Sequence, residues 1–394
     1  MIDYIKITEN LKNERAPFAF IDLDALKSNI TTIDARARGK KVRIATKSIR
    51  SRWVLEYIKE NLESYFGLMT FSPEEALWLA QEGFDNILMG YPTLEEGLIR
   101  QIFEAKKEKD IVFMVDTATQ IELLNKIAED HQSTAQLCVD IDLSSSFPLV
   151  HFGVHRSPLK KPEDLKRLLN SIKLLKHIVW TGLMGYEAQI AGVGDQVPGQ
   201  GLKSAVIRFL KSKSLKTIEQ RRTAFLNVFE EFDIHLDFVN GGGTGSMEST
   251  GKEKKVTEIT VGSGFLQSHL FDYYEGFTHQ PAAYFALRAV RQPNPQMITV
   301  MGGGYIASGA TDPLKQPQVV YPKGLKLTKN EGAGEVQTPL ILANEGQVKL
   351  GDLVVFRHAK AGEVCERFEE LIVIEDNKIS SRIATYRGEN KCFL

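Results

Sequence analysis

From residue 42 onward, short apolar runs alternate with longer stretches of helical periodicity. The runs at 42–46, 65–69, 86–90, 111–115, 136–141, 179–184, 237–240 and 258–261 read as eight strands. Between most of them the apolar positions fall three and four apart. In 73–81, Ala76, Leu77 and Ala80 share one face; in 118–128, Ile121, Leu124, Ile127 and Ala128 do. Strands that are apolar throughout, separated by helices, predict a parallel sheet covered on both sides. Eight repeats predict an α/β fold closed as a (β/α)8 barrel, with an open doubly wound sheet as the alternative.

Two stretches depart from that rhythm. Residues 189–213 follow the sixth strand as a long glycine-containing insertion, and loops of that length often cover a functional site. Beyond residue 280 the helical period gives way to strand-like pieces at 284–290, 297–301, 351–356, 371–374 and 378–386, punctuated by Gly and Pro. These predict a smaller, mostly β domain. The expected division is a barrel over 16–280 and a β domain over 281–394, with residues 1–22 contributing to the latter through an early strand at 19–21.

A length of 394 residues suits two such domains. The net charge of −1 leaves no broad basic field for nucleic acid or an anionic membrane, and the mixed cluster at 252–255 reads as a solvated loop. Residues 1–15 are charged throughout and lack the apolar segment of a signal peptide. No apolar run reaches the roughly 18 residues of a membrane-spanning helix. Three widely spaced cysteines, Cys138, Cys365 and Cys392, indicate no disulfide framework and fit a reducing, cytoplasmic setting.

Candidate chemistry gathers at the predicted strand ends. Lys47 closes the first strand, and the C-terminal strand ends are the functional face of such barrels. A lysine held in a partly dehydrated mouth gives up its proton more readily, and its free amine can form an imine. Taken alone, the position is better read as a lysine reaching solvent. Gly241, Gly242, Gly243, Thr244 and Gly245 end the seventh strand; Gly262, Ser263 and Gly264 end the eighth. Glycines let backbone N–H groups approach an anion, and the loops after strands seven and eight are common phosphate sites in barrels. After the fifth strand come Asp140, Asp142 and then Gly153 to Arg156; Arg156 suits a phenolate or carboxylate. After the sixth, Tyr186 suits a phosphate or a ring face. Each of these taken singly fits a structural role equally well. Gly302 to Gly304 read as a turn or a close backbone approach.

As an ordered set, these residues resemble the fold-type III pyridoxal 5′-phosphate (PLP) enzymes, whose barrel is of the alanine racemase type. Residues 20–29 (Phe-Ile-Asp-Leu-Asp-Ala-Leu-Lys-Ser-Asn) look like the segment that opens such proteins. The resemblance implies PLP held as a Schiff base on Lys47, Arg156 beside the cofactor phenolate, and Gly242, Gly243, Thr244, Gly262, Ser263 and Gly264 around its phosphate. Residues 357–368 are similar to a bacterial amino acid deaminase/aldolase group within the D-serine dehydratase and D-threonine aldolase branch. Members of that branch bind a divalent metal through a His-x-Cys or His-x-Asp pair. Here His358 and Cys365 stand seven positions apart, and Glu363-x-Cys365 has the tighter spacing. All three are competent ligands for zinc, so His358 and Cys365 are the expected pair, with Glu363 as a substitute.

The resemblance implies a lyase for a D-β-hydroxy amino acid of the D-serine or D-threonine type, acting by dehydration-deamination or retro-aldol cleavage. It also implies a homodimer that closes the barrel mouth against water. Other readings are an amino acid racemase, a decarboxylase (Gly362-x-x-Cys365 is faintly similar to a decarboxylase motif) and a non-catalytic PLP protein. Known proteins of the last kind are essentially the barrel alone. A sugar-phosphate barrel enzyme would explain the glycine loops but not residues 20–29.

Overall fold

The eight apolar runs pair side by side and close on themselves. The computed structural model describes residues 2–147, 150–310 and 312–393. Strand β1 (Phe18–Asp22) belongs to a second sheet. The barrel is built from β2 (Lys41–Ala45), β3 (Tyr65–Thr70), β4 (Ile87–Met89), β5 (Ile111–Val115), β6 (Ala135–Ile141), β9 (Ile178–Gly185), β10 (Phe238–Gly241) and β11 (Glu258–Val261). A small hairpin, β7 (Ser145–Phe147) and β8 (Val150–Phe152), follows β6. The barrel strands run parallel in the closed order β10-β11-β2-β3-β4-β5-β6-β9, so the (β/α)8 expectation holds and the open sheet does not.

Local chemistry fixes the helix starts. Ser72 accepts a hydrogen bond from Glu75 N at 3.2 Å, and Pro73 opens Pro73–Gln81. Gln120 reaches back to the N–H groups of Asp116 and Thr117 at 2.7 and 3.1 Å, starting Ala118–Asp130. Inside the barrel, Leu88, Val112, Met114, Cys138, Met184 and Phe238 form an apolar plug. Beside it Arg43 and Glu258 make a buried ion pair of 2.9 Å, joined by Asn240 at 2.8 Å. Side chains two residues further along a strand share its face. Asp116, Asp140 and Tyr186 therefore follow Met114, Cys138 and Met184 on the inward rows.

The insertion expected at 189–213 is largely helical: Ala188–Ala191 is one turn, and Gly201–Glu231 is a helix of 31 residues. Its periodicity is hidden because its first half buries polar residues and exposes apolar ones. Ser204, Lys211 and Ser214 face inward, whereas Leu202, Val206 and Phe209 are 85%, 50% and 58% exposed. Lys211 is tolerated inside because Asp195 pairs with it at 2.6 Å.

Among the described residues the second sheet has nine strands, with β1 paired antiparallel to β12 (Ala283–Asn294) and parallel to β18 (Glu370–Glu375). The others are β13 (Met297–Met301), β14 (Gln318–Tyr321), β15 (Lys326–Leu327), β16 (Gln337–Ile341), β17 (Leu353–Arg357) and β19 (Lys378–Ala384). Phe18, Phe20, Tyr284, Val355, Ile372 and Ile374 form its core. Gly303 takes φ +120°, and a Cβ there would strike Thr338, which is the close approach expected of residues 302–304. The chain divides into two compact units: one holds residues 2–33, Ser48–Leu62 and Ser263–Cys392, the other Asp34–Lys47, Glu63–Gly262 and residue 393. Among the described residues no helix is long and apolar enough to cross a membrane.

Candidate active site

Lys47 sits in a single 3₁₀ turn, Thr46–Ser48, directly after β2. Thr46 pins that turn by donating to Met69 O at 3.1 Å. The Lys47 side chain is exposed, and its Nζ donates to Tyr91 Oη at 2.7 Å. Tyr91 lies two residues beyond the end of β4. The Arg156 guanidinium packs between two phenol rings, 5.2 Å from the centroid of Tyr91 and 4.9 Å from that of Tyr186. The Tyr186 ring in turn lies 3.3 Å from where a Cβ on Gly243 would stand. Four expected site residues (Lys47, Arg156, Tyr186 and Gly243) thus form one connected series at the C-terminal strand ends. Tyr91 joins them and was not foreseen. Its signal is positional: it follows a strand end, as Lys47 does.

The series is electrostatically graded. Burial pushes the Tyr91 phenol up, but the charges and hydrogen bonds of Lys47 and Arg156 outweigh it and hold the group below the ordinary phenol range. Burial dominates at Tyr186, whose phenol is pushed up to about 12. The Asp140 carboxyl is pushed up to about 7, mainly by burial, with Asp116 and Asp142 adding and Arg156 opposing. Its Oδ1 is buried without a hydrogen-bond partner. A carboxyl raised from 3.8 to about 7 supports stability below its unfolded value, and that support is lost as pH rises through about 7. Asp140→Asn should therefore flatten the pH dependence of stability. Chemical denaturation from about pH 4 to about pH 9 should show the parent losing on the order of 4 kcal/mol that the variant keeps. Parallel curves for the two proteins would refute a neutral Asp140.

The glycine turn after β10 is held by buried charge. Glu187 accepts from Ser246 Oγ at 3.0 Å, from Thr250 Oγ1, and from Arg222 Nη2 at 3.1 Å. Arg222 also pairs with Glu253 and donates to Gly185 O at 3.2 Å. Arg36 donates to Thr244 O at 2.7 Å while pairing with Glu248 at 2.6 Å. Gly242 has φ +88°, and a Cβ there would fall 2.6 Å from Ile259 Cγ2. Any side chain at Gly242 strains the backbone with or without a ligand, so a substitution there reports on folding first. After β11, Gly262 leads into Ser263–Leu266, one short turn. Ser263 Oγ lies 3.3 Å from Ser48 Oγ, and His279 Nδ1 lies 2.8 Å from Gly264 O.

The expected metal ligands belong to the other unit. His358 is fully buried, its Nδ1 is 3.0 Å from Ala283 O, and its Nε2 has no partner. Burial, then the Arg357 and His269 charges, push it down to about 3, so the imidazole is neutral. A neutral imidazole with a spare nitrogen suits a metal. Of its expected companions, Cys365 is buried and Glu363 is already engaged. The Cys365 thiol is pushed up to about 12, mainly by burial. The Glu363 carboxylate already takes Ser308 N at 2.8 Å and the Ser308 hydroxyl, with Lys360 3.5 Å away. Among the described residues no group of three or more His, Cys, Asp or Glu is gathered to hold an ion.

A family model described as alanine racemase, N-terminal domain, matches residues 21–265, and the chain belongs to that family. The fold is similar to that of solved structures. D-threonine aldolase from Filomicrobium marinum matches with TM-score 0.81 and 14% identity over 96% of both chains. D-threo-3-hydroxyaspartate dehydratase from Delftia sp. HT23 matches with TM-score 0.74 and 16% identity over 95% of this chain and 98% of that one. Alanine racemase from Clostridium difficile 630, in complex with cycloserine, matches with TM-score 0.67 and 15% identity, covering 94% and 99%. A search of curated proteins finds no match. The resemblance to fold-type III PLP enzymes is therefore borne out at the level of family and fold.

Proposed function

We propose that the chain is a PLP-dependent lyase acting on a D-β-hydroxy amino acid. The observation that carries the reading is the exposed Lys47 amine at a barrel strand end, joined through Tyr91 and Arg156 to Tyr186 and the glycine turn. That donor set fits the cofactor. An amine stands where a covalent link is needed, a guanidinium lies next to it for an anionic ring oxygen, and the glycine-rich turn offers room for a phosphate.

When bound, PLP supplies an electron sink for a negative charge developing at the substrate's α-carbon. The chain does the rest. Lys47 holds the cofactor and, once displaced by a substrate amine, is free to take or return a proton at the α-carbon. Arg156 is fixed between two rings, so its charge is presented without reorganisation. Tyr186 covers one side of Gly243. The aldolase and dehydratase among the solved structures with this fold support the choice of a lyase over a sugar-phosphate enzyme.

The test mixes purified protein and PLP with a panel of D- and L-amino acids, with and without chelator. Release of ammonia and keto acid, or of an aldehyde, from D-β-hydroxy substrates alone is the expected result. Inversion of configuration without release would make the chain a racemase, and carbon dioxide release a decarboxylase. Loss of turnover with chelator, restored by zinc but not in His358→Ala, would add the metal to the reading.

A further inference from the structure

We propose that Tyr91 is the proton partner of Lys47: its phenol oxygen takes the proton that the amine must shed before it acts as a nucleophile. The proposal rests on the reading of Lys47 as the cofactor-binding lysine. The two groups are placed by neighbouring carbonyls of one strand. Thr46, beside Lys47, donates to Met69 O at 3.1 Å; Gly90, beside Tyr91, donates its N–H to Thr70 O at 2.9 Å. Gly90 packs so tightly that a Cβ there would fall 2.8 Å from Met69 Cγ. Both side chains therefore start from fixed points on the end of β3, and their polar atoms meet at 2.7 Å, within the reach of direct proton transfer.

The surroundings favour a charged oxygen on Tyr91. Lys47 faces it from the turn after β2, and Arg156 from the segment after β8. Tyr186 shares Arg156, and Asp140 lies toward the same guanidinium, so neither presents a negative charge directly to the Tyr91 oxygen. Of the two phenols on Arg156, the one touching Lys47 is held low and the other is held high. A phenol packed on Arg156 for structure alone would not need its oxygen on Lys47.

The Lys47 ammonium gives one proton to the Tyr91 phenolate. The freed lone pair forms a carbon–nitrogen bond with the cofactor's aldehyde carbon. The two protons left on nitrogen depart with the aldehyde oxygen as water, and Tyr91 ends as neutral phenol.

The experiment uses full-length protein freed of cofactor, together with Tyr91→Phe and Lys47→Met. Ultraviolet difference titration should show one tyrosine ionising below the others, absent in Tyr91→Phe and moved upward in Lys47→Met. Addition of PLP should raise the visible imine band about 10²-fold more slowly in Tyr91→Phe, with its pH profile displaced upward. Phe keeps the ring on which Arg156 packs, so folding is preserved. A Tyr91→Phe protein that forms the band at the parent rate and pH profile would overturn the proposal. If the parent forms no band at all, the cofactor reading fails instead. The phenol titration then decides the pair alone, and identical curves for parent and Lys47→Met would overturn it.

Discussion

Lys47→Ala yields a folded protein that forms no visible imine band with PLP, and turnover of the best substrate falls by at least about 10²–10⁴-fold, the share typical of one positioned proton-transfer group. The stability change is small, within about 0.5 kcal/mol, because the Lys47 side chain is exposed and makes one hydrogen bond, to Tyr91. A large functional loss at little structural cost separates this role from that of a lysine merely reaching solvent. Borohydride treatment of the loaded parent, followed by peptide mapping, should place the cofactor on the peptide containing Lys47. Labelling at a different lysine, or turnover in Lys47→Ala within threefold of the parent (roughly 0.7 kcal/mol of activation barrier), would remove the basis of the functional reading.

The barrel was legible because parallel strands covered on both faces are largely apolar. Ile111–Val115 is buried at every position, and both its ends match the sequence expectation. Lys47 was legible less from its own strand, which also carries Arg43, than from its place at a strand end facing the glycine turns after the seventh and eighth strands. Tyr91 was not, although it stands in the same relation to its strand. The strand before it has only three residues, and a single tyrosine beyond it belongs to no motif. Strands β14 to β16 were missed because they are short and only partly buried, and β16 contains Pro339. The helix Gly201–Glu231 was missed because its buried face includes Ser204, Lys211, Ser214 and Arg222, so apolar spacing does not mark it. Polar burial of that kind is decided by partners distant in sequence, such as Asp195 for Lys211 and Glu187 for Arg222.

Arg222→Met should be the most destabilising single change near the glycine turn, costing about 3–5 kcal/mol in denaturant unfolding. Arg222 and Glu187 are each 1% exposed, and Arg222 also answers Glu253. Methionine fills much of the volume but leaves both carboxylates buried without their cation. The burial that already raises Glu253 against the pull of Arg222 then acts unopposed, and Glu187 loses the guanidinium that pairs with it. Carboxylates raised in the folded state penalise it above their folded values and cease to do so below their unfolded values. The deficit of Arg222→Met should accordingly be largest above neutral pH and shrink toward about pH 4. Glu187→Gln should cost less, because its amide still offers an oxygen to the Ser246 and Thr250 hydroxyls while Glu253 keeps Arg222 paired. Because Glu187 follows Tyr186 directly and both hydroxyl donors lie just past the glycine turn, PLP uptake should weaken in step with stability in Arg222→Met. A variant with a parent-like denaturation midpoint at pH 8 would show that this buried network does not hold the turn.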